Sequence, residues 1–202
     1  MNRPAPHAAP SGFAQADGHV LIEVRLTRLA QLFHSLDPAP FREKDLDPAA
    51  DAYLVESAEE IGTDLPIALV FELPATEIPA ARALLPDALS NYFMARAVST
   101  RRTLNRLLRE GRAALVIGLL FLGLCLVASE AVNQWAAGLA ARLLGEGLLI
   151  VGWVALWRPL EIFLYEWWPI HRRLRVHQRL AAAPVWIRAA PESPLSPPEA
   201  NR

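Results

Sequence analysis

Apolar residues occupy every second position of His19–Arg28, the first stretch of the chain with a clear pattern. Such alternation is typical of a strand with one buried face. A second strand is predicted over Leu65–Leu73, where nearly continuous apolar residues indicate burial on both faces. Between the two strands, an Asp-Pro step opens a helical pattern over 48–61. Strand, helix and strand with a crossover of this length predict a parallel βαβ unit.

A helical repeat resumes at Ile78 and continues past Pro86 into an uncharged apolar run, Ala113–Ser129. We expect one long helix here, with Gly111 as its weak point. The apolar run reaches roughly 25 Å, just enough for a short membrane span. A second run, Leu139–Trp157, carries one Arg and one Glu. Two such runs joined by a short polar connection predict a transmembrane helical hairpin.

Aromatic residues follow the second apolar run, at the position expected for the aromatic belt of a membrane interface. They are Trp157, Trp167 and Trp168. The segment 159–183 is amphipathic and basic, so we expect it to lie in the headgroup region at the interface. The basic run from Arg101 to Arg112, beside the first apolar run, is explained by attraction to anionic lipid headgroups. A short strand is possible over 184–189, and it would add a third strand to a sheet that is otherwise too small.

These elements predict an α+β fold, a small cytoplasmic domain (βαβ-α with a possible third C-terminal strand) attached to a two-helix transmembrane hairpin. The first and last segments are rich in Pro and Ala and are predicted to be disordered. The predicted division is a disordered tail 1–18, an α+β domain 19–110 that includes strand 184–189, a hairpin 111–158, an interfacial segment 159–183 and a disordered tail 190–202.

Charge placement is more informative than the formal net charge of −1, which gives no reason to expect nucleic acid as a partner. Arginines cluster over 101–112, before the first apolar run, and over 172–179, after the second. The connection between the runs offers only Arg142 as a positive charge. The positive-inside rule therefore predicts a multi-pass protein with both termini in the cytoplasm. Richness in Ala, Arg, Leu and Pro fits a bacterial chain, and hence the inner membrane.

Charged residues within or beside the apolar runs are the candidate functional residues. Arg142 and Glu146 lie four residues apart and share a helix face. They mark either the outer membrane boundary, a contact between helices or subunits, or a conduction path. Glu130 could pair with Arg142 across the hairpin. Arg158, at the cytoplasmic edge beside Glu161, is expected to anchor the helix by reaching the headgroups.

Sequence signatures of catalysis are missing. The chain contains no nucleophile elbow, no glycine-rich phosphate loop and no HExxH motif, and its histidines lack the spacing of metal ligands. The acidic loop 41–47 is expected to be solvated and to cap the following helix. Cys125 lies in the first apolar run and is interpreted as a packing residue. We therefore expect no enzyme, no metal and no cofactor.

Two stretches resemble segments of a family of uncharacterised two-span inner-membrane proteins of bacteria. They are LFHSLDPAPFREKDLDPAADAYLVESA, residues 32–58, and EIFLYEWWPIHRRLR, residues 161–175. The resemblance implies a bacterial inner-membrane protein. It implies no activity and no site residues.

The leading functional hypothesis is a non-enzymatic membrane protein whose small cytoplasmic domain mediates self-association or docks a partner. Its expected partners are the lipid bilayer and either further copies of itself or another membrane protein. An oligomeric channel or transporter component that uses Glu130, Arg142 and Glu146 is the alternative. A third hypothesis is a membrane-tethered enzyme that uses the carboxylates of loop 41–47.

Overall fold

The computed structural model describes residues 12–34, 45–135 and 138–191. The described residues fall into two compact units. The first extends to Ala97 and resumes at Arg175, and the second is Val98–Leu174. The first unit combines a small mixed sheet with helices, which agrees with the predicted α+β class. Two helices among the described residues are long and apolar enough to cross a membrane.

The described elements follow one another along the chain with these bounds. They are β1 (Gln15–Ala16), β2 (His19–Arg25), a 3-10 turn (Leu29–Leu32), α1 (Pro48–Ile61), β3 (Ile67–Leu73), α2 (Ile78–Trp135), α3 (Leu139–Val154), α4 (Trp157–Glu161), a π-helical segment (Ile162–Glu166), α5 (Trp167–Ala182) and β4 (Val185–Ala189).

The sheet has the strand order β1-β2-β3-β4. Strand β1 is antiparallel to β2, whereas β2, β3 and β4 are mutually parallel. Val20 pairs with Ile67, and Leu69 pairs with Val185. Because α1 connects the parallel strands β2 and β3, the crossover unit expected from the sequence is present. The candidate strand near the C-terminal end is β4, and it pairs with β3.

Strand β1 corrects the prediction that 1–18 is disordered throughout. Its two residues pair with the start of β2 around Asp17 and Gly18, which both have positive φ angles, of 49° and 76°. An Asp-Gly step of this kind closes a tight β-hairpin, because both central positions of the turn require left-handed backbone. The Asp-Gly signal of this turn was not recognised, because the segment that contains it is rich in proline and alanine and was predicted to be disordered. Residues 1–11 and 192–202 of the predicted tails lie outside the described residues.

The main core of the first unit lies on one face of the sheet. Helix α1, the first part of α2 and the last part of α5 contribute apolar side chains to it. The opposite face carries a smaller apolar cluster of Leu21, Ala68 and Val70, against which Trp186 packs. The side chains at the centre of the main core are Ile22, Leu54, Leu69, Phe71, Leu85, Phe93 and Leu180.

Helix α1 begins and ends where the sequence predicts. The Asp47 carboxylate accepts hydrogen bonds from the first free N–H groups of the helix, including that of Ala49 at 2.9 Å. Gly62 follows the helix with a φ of 80°. The guanidinium of Arg179, on α5, donates to the carbonyl oxygens of Gly62 and, at 2.6 Å, of Leu65. This side chain therefore supplies donors to carbonyl groups of the segment that follows α1, and it also lies 3.5 Å from the carbonyl oxygen of Ala58 in the last turn of α1.

Helix α5 corrects the prediction that 159–183 lies entirely at a membrane interface. Val176, Leu180 and Ala181 are buried in the main core of the first unit. Amphipathic periodicity alone cannot distinguish a helix face that meets lipid from one that meets a sheet. In this segment the sheet supplies the apolar surface for residues after Arg175.

Candidate functional site

Helices α2 and α3 form an antiparallel hairpin and approach closely where α3 has glycine. A Cβ atom added to Gly145 would lie 3.1 Å from Ser129 Oγ, and one added to Gly152 would lie 2.8 Å from Leu122 Cδ1. Ser129 Oγ also donates a buried hydrogen bond to the carbonyl oxygen of Gly145, at 3.0 Å. Small residues therefore bring the two backbones together, as in packed membrane helices.

Two glycines of α2, Gly118 and Gly111, make similar close contacts with the residues that follow α3. A Cβ atom on Gly118 would lie 2.9 Å from Leu156 Cδ2 and 3.0 Å from the carbonyl oxygen of Ala155. A Cβ atom on Gly111 would lie 2.8 Å from Ile162 Cγ2. We call Gly111, Gly118, Gly145 and Gly152 the glycine seam.

The glycine seam was missed by sequence reasoning, although the sequence carries its signal. Gly111 and Gly118 are seven residues apart, as are Gly145 and Gly152, and Cys125 continues the spacing on α2 as a buried residue. A strict seven-residue repeat keeps one helix face against its partner. Gly111, which we expected to be a weak point, lies inside the continuous helix α2 and receives the side chain of Ile162.

The outer surface of the hairpin is strongly apolar. Ile117, Leu120, Leu124, Val127 and Ile150 are each between 64% and 70% exposed. Two helical stretches are long and apolar enough to cross a membrane, and in each only 17% of the most apolar 18-residue window is buried. Core helices of water-soluble proteins place large apolar residues inside and polar ones outside. Here the small residues lie inside and the large apolar residues outside.

The charged residues predicted near the turn of the hairpin lie at one end of the glycine seam. Glu130 accepts a hydrogen bond from Gln134 Nε2 at 3.0 Å. Within the described part of the chain, none of Glu130, Arg142 and Glu146 takes part in an ion pair, so the Glu130–Arg142 pair suggested by the sequence is not formed. Arg142 and Glu146 are both exposed.

Arg158 is brought together with two carboxylates at the other end of the seam. Its Nη1 lies 3.1 Å from Glu161 Oε2 and also contacts Glu166, whose second oxygen lies 3.3 Å from Nη2. Glu166 is eight residues from Arg158, and the π-helical segment between them shortens the axial rise that separates the two side chains. We call Arg158, Glu161 and Glu166 the Arg158 cluster.

The three predicted interfacial tryptophans differ in their surroundings. Trp157 and Trp168 are largely exposed. Trp167 is partly buried, and its indole Nε1 donates to the carbonyl oxygen of Phe163 at 2.8 Å. Trp167 also contacts the ring of His171, at 5.8 Å between ring centroids. Two of the three therefore present an indole ring to the surroundings.

The first unit contains a separate polar cluster around Arg96. Its guanidinium donates to the hydroxyl oxygen of Tyr92 at 2.8 Å and to Asp51 Oδ2 at 3.2 Å, and it lies 5.3 Å from the centroid of the Tyr92 ring. Burial raises the pKa of Tyr92, although the hydrogen bond from Arg96 opposes the shift. The bond to Tyr92 raises the pKa of Arg96. This cluster was not predicted from the sequence.

A cleft of about 450 Å³ adjoins the Arg96 cluster and is lined by His34 and Asp45 among others. Two carboxylates of the acidic loop 41–47 are described: Asp45 faces the cleft, while Asp47 caps α1. Residues 41–44 lie outside the described residues. In the described ranges, no three His, Cys, Asp or Glu side chains are grouped so that they could hold a metal ion.

Comparison of the chain with known protein families, with curated proteins and with solved structures gives no match.

Proposed function

We propose that this chain is an integral protein of the bacterial inner membrane, inserted by the α2–α3 hairpin, whose small α+β unit mediates self-association or docks a partner without catalysis. The observation that carries the proposal is the inverted packing of the hairpin, with glycine inside and large apolar side chains outside. In water such a surface would be costly, at ~25 cal/mol for each Å² of apolar area. In lipid it is the expected surface of a transmembrane helix.

Charge supports one orientation in the membrane. Arginines precede the first apolar run and follow the second, and this distribution supports an orientation with the α+β unit and both termini on the cytoplasmic side. The resemblance of residues 32–58 and 161–175 to bacterial two-span membrane proteins supports the inner membrane as the location, and it does not bear on the orientation. This assignment makes the turn between α2 and α3 periplasmic.

Site-directed labelling tests both insertion and orientation. Cys125 is the single cysteine and is buried, so Cys125→Ala gives a clean background for one new cysteine at a time. In intact spheroplasts, a membrane-impermeant maleimide should label Gln134→Cys, and it should label Thr63→Cys only after lysis. The protein should also stay in the membrane fraction after alkaline carbonate washing. Labelling of Thr63→Cys from outside, or release by carbonate, would contradict the proposal.

The sheet edge supports a role in association. Strand β4 ends the strand order, so among the described strands its outer backbone groups have no partner. Such an edge can accept a further strand from another chain. Native mass spectrometry of the protein, extracted gently from its membrane, should show a defined homo-oligomer or a stoichiometric second subunit. A bare monomer under conditions that preserve other complexes of that membrane would contradict this part of the proposal.

The channel or transporter alternative stays a prediction. It depends on the exposed charges Arg142 and Glu146, and two helices cannot enclose a path, so it requires an oligomer. Glu146→Gln should then alter ion flux in proteoliposomes while leaving the assembly intact. Unchanged flux through an intact assembly would count against it.

A further inference from the structure

A groove of about 510 Å³ adjoins helix α2 shortly before its apolar run. Hydrogen-bond donors dominate the described lining, which comprises Arg102, Asn105, Arg106, Arg109 and Glu110. Three guanidinium groups against one carboxylate give this lining a formal net charge of +2. We call it the arginine groove.

The positive charge of the arginine groove is only partly balanced within the chain. Arg106 Nε donates to Glu110 Oε1 at 3.0 Å. In the described ranges, Arg102 and Arg109 take part in no ion pair, and both are exposed. Two guanidinium groups therefore remain to bind an anion, and an anion with two negative charges would balance the groove.

The arginine groove lies on the side of α2 that faces away from the glycine seam. Its three arginines are spaced by four and three residues and share one helix face. Leu120, about five full turns after Arg102, lies on the same face. The large side chains that continue this face are 65% to 70% exposed, and they are Leu120, Leu124 and Val127. One face of a continuous helix thus carries a cationic groove followed by an apolar track.

The arginine groove begins at the depth of the lipid headgroups when the hairpin is inserted as proposed. Arg112 is the first charge before the apolar run of α2. At the opposite end of the hairpin, the exposed Leu139 and Leu143 extend the apolar surface, so a hydrocarbon core of about 30 Å is covered without passing Arg112. Arg109 lies roughly 4–5 Å beyond Arg112 along the helix, and Arg106 roughly 9 Å. The headgroup layer adds about 5–8 Å on each side, so Arg109 lies within it.

We propose that the arginine groove binds one phospholipid whose headgroup carries two phosphate groups, and that the acyl chains of this lipid lie along the apolar track of Leu120 and Leu124. The inference rests on the membrane insertion proposed above. Two phosphodiester groups carry two negative charges, which match the net charge of the groove, and their oxygens accept the paired N–H donors of arginine. A water-soluble phosphate compound would use the groove alone. A phospholipid uses both the groove and the apolar track.

Native mass spectrometry of the full-length protein in detergent micelles tests the site, with cardiolipin as the probe that carries two phosphate groups. One cardiolipin should bind, about tenfold more tightly than phosphatidylglycerol, which carries one phosphate. Arg102→Gln/Arg109→Gln should weaken cardiolipin binding by about tenfold or more, because charge-assisted hydrogen bonds are lost. The charge-matched control is Arg101→Gln/Arg173→Gln, which removes two exposed arginines outside the described lining and should change binding by less than about twofold.

Two results would show that the arginine groove does not select this lipid. Equal losses in the groove variant and the control variant would mean that cardiolipin responds to diffuse positive charge and not to a site. Equal binding of cardiolipin and phosphatidylglycerol to the wild-type chain would mean that the second phosphate makes no contact.

Inorganic pyrophosphate distinguishes a lipid site from a site for soluble phosphate. Added at the same concentration as cardiolipin, it should leave the bound lipid in place, and displacement of the lipid would overturn the inference. Quenching of tryptophan fluorescence by brominated phosphatidylcholine in vesicles tests membrane insertion separately. Quenching without selective cardiolipin binding overturns the lipid site alone, whereas absence of quenching overturns membrane insertion and the lipid site with it.

Discussion

Ser129 Oγ donates to the carbonyl oxygen of Gly145 at 3.0 Å, and both residues are buried between the two helices of the hairpin. The side chain of Ser129 can reach the backbone of α3 because Gly145 has no Cβ atom to hold the two helices apart. It fixes the register of α2 against α3. The level of each charged residue of one helix relative to the other helix follows from this register.

Removing this hydroxyl should weaken the hairpin measurably. We expect Ser129→Ala to lower the free energy of unfolding by about 1 kcal/mol, the usual loss for one buried hydrogen bond. Denaturation in mixed detergent micelles would measure it. Thr103→Ala is the control, because Thr103 also donates to a carbonyl but is exposed on its own helix. An equal loss in both variants would contradict the interhelical role of Ser129.

Adding one methyl group to the glycine seam should be more damaging than removing the hydroxyl. We expect Gly118→Ala to cost about 1–3 kcal/mol, because its Cβ would lie 3.0 Å from a backbone oxygen that cannot rotate away. Gly123→Ala is the matched control in the same helix. No atom lies within 4 Å of its added Cβ, so its stability should change by less than about 1 kcal/mol. Similar denaturation midpoints for the two variants would contradict the close packing of the helices at Gly118.

The first turn of α1 depends on the Asp47 carboxylate. We expect Asp47→Ala to lower stability by about 1 kcal/mol, since two backbone N–H groups lose their acceptor. Asp47→Asn keeps an acceptor oxygen at the same position and should retain most of the stability. Thermal unfolding followed by circular dichroism compares the two. An equal loss in both would indicate that charge, and not the hydrogen bonds, is what matters.

Arg179 should resist replacement by lysine. We expect Arg179→Lys to cost about 1–2 kcal/mol, because a single ammonium group cannot reach the separate carbonyl oxygens that the planar guanidinium contacts. Arg175→Lys, at an exposed position of the same helix, is the control. Chemical denaturation should separate the two variants. Equal midpoints would show that the Arg179 contacts add little.

Tyr92 should make stability sensitive to alkaline pH. Its pKa in the folded state is raised above 10.0, so folding favours the neutral hydroxyl. The corresponding stability is fully present below the unfolded pKa and is lost as pH rises through the folded pKa. The difference in unfolding free energy between wild type and Tyr92→Phe should thus stay constant up to about pH 9 and then shift against wild type. A difference that stays constant to pH 11, or moves the other way, would contradict this assignment.

Local signals in the sequence determined much of the α+β unit. Asp47 and Gly62 define the ends of α1 because capping depends on residues next to the helix. The pattern of apolar residues predicted β2, β3 and the two apolar runs, because it reflects which side chains are removed from water. The Asp17-Gly18 turn was also encoded locally, and it was overlooked only because its neighbours suggested a disordered tail.

Tertiary structure alone decided which distant residues meet. The sequence shows glycines seven residues apart, but only the packing of α2 on α3 shows that Gly145 faces Ser129. A π-helical segment, which no periodicity predicted, brings Glu166 to Arg158. Arg179 reaches carbonyl groups more than a hundred positions earlier in the chain. Such contacts depend on the relative placement of whole elements, and hydrophobic pattern and propensity specify an element but not its neighbour.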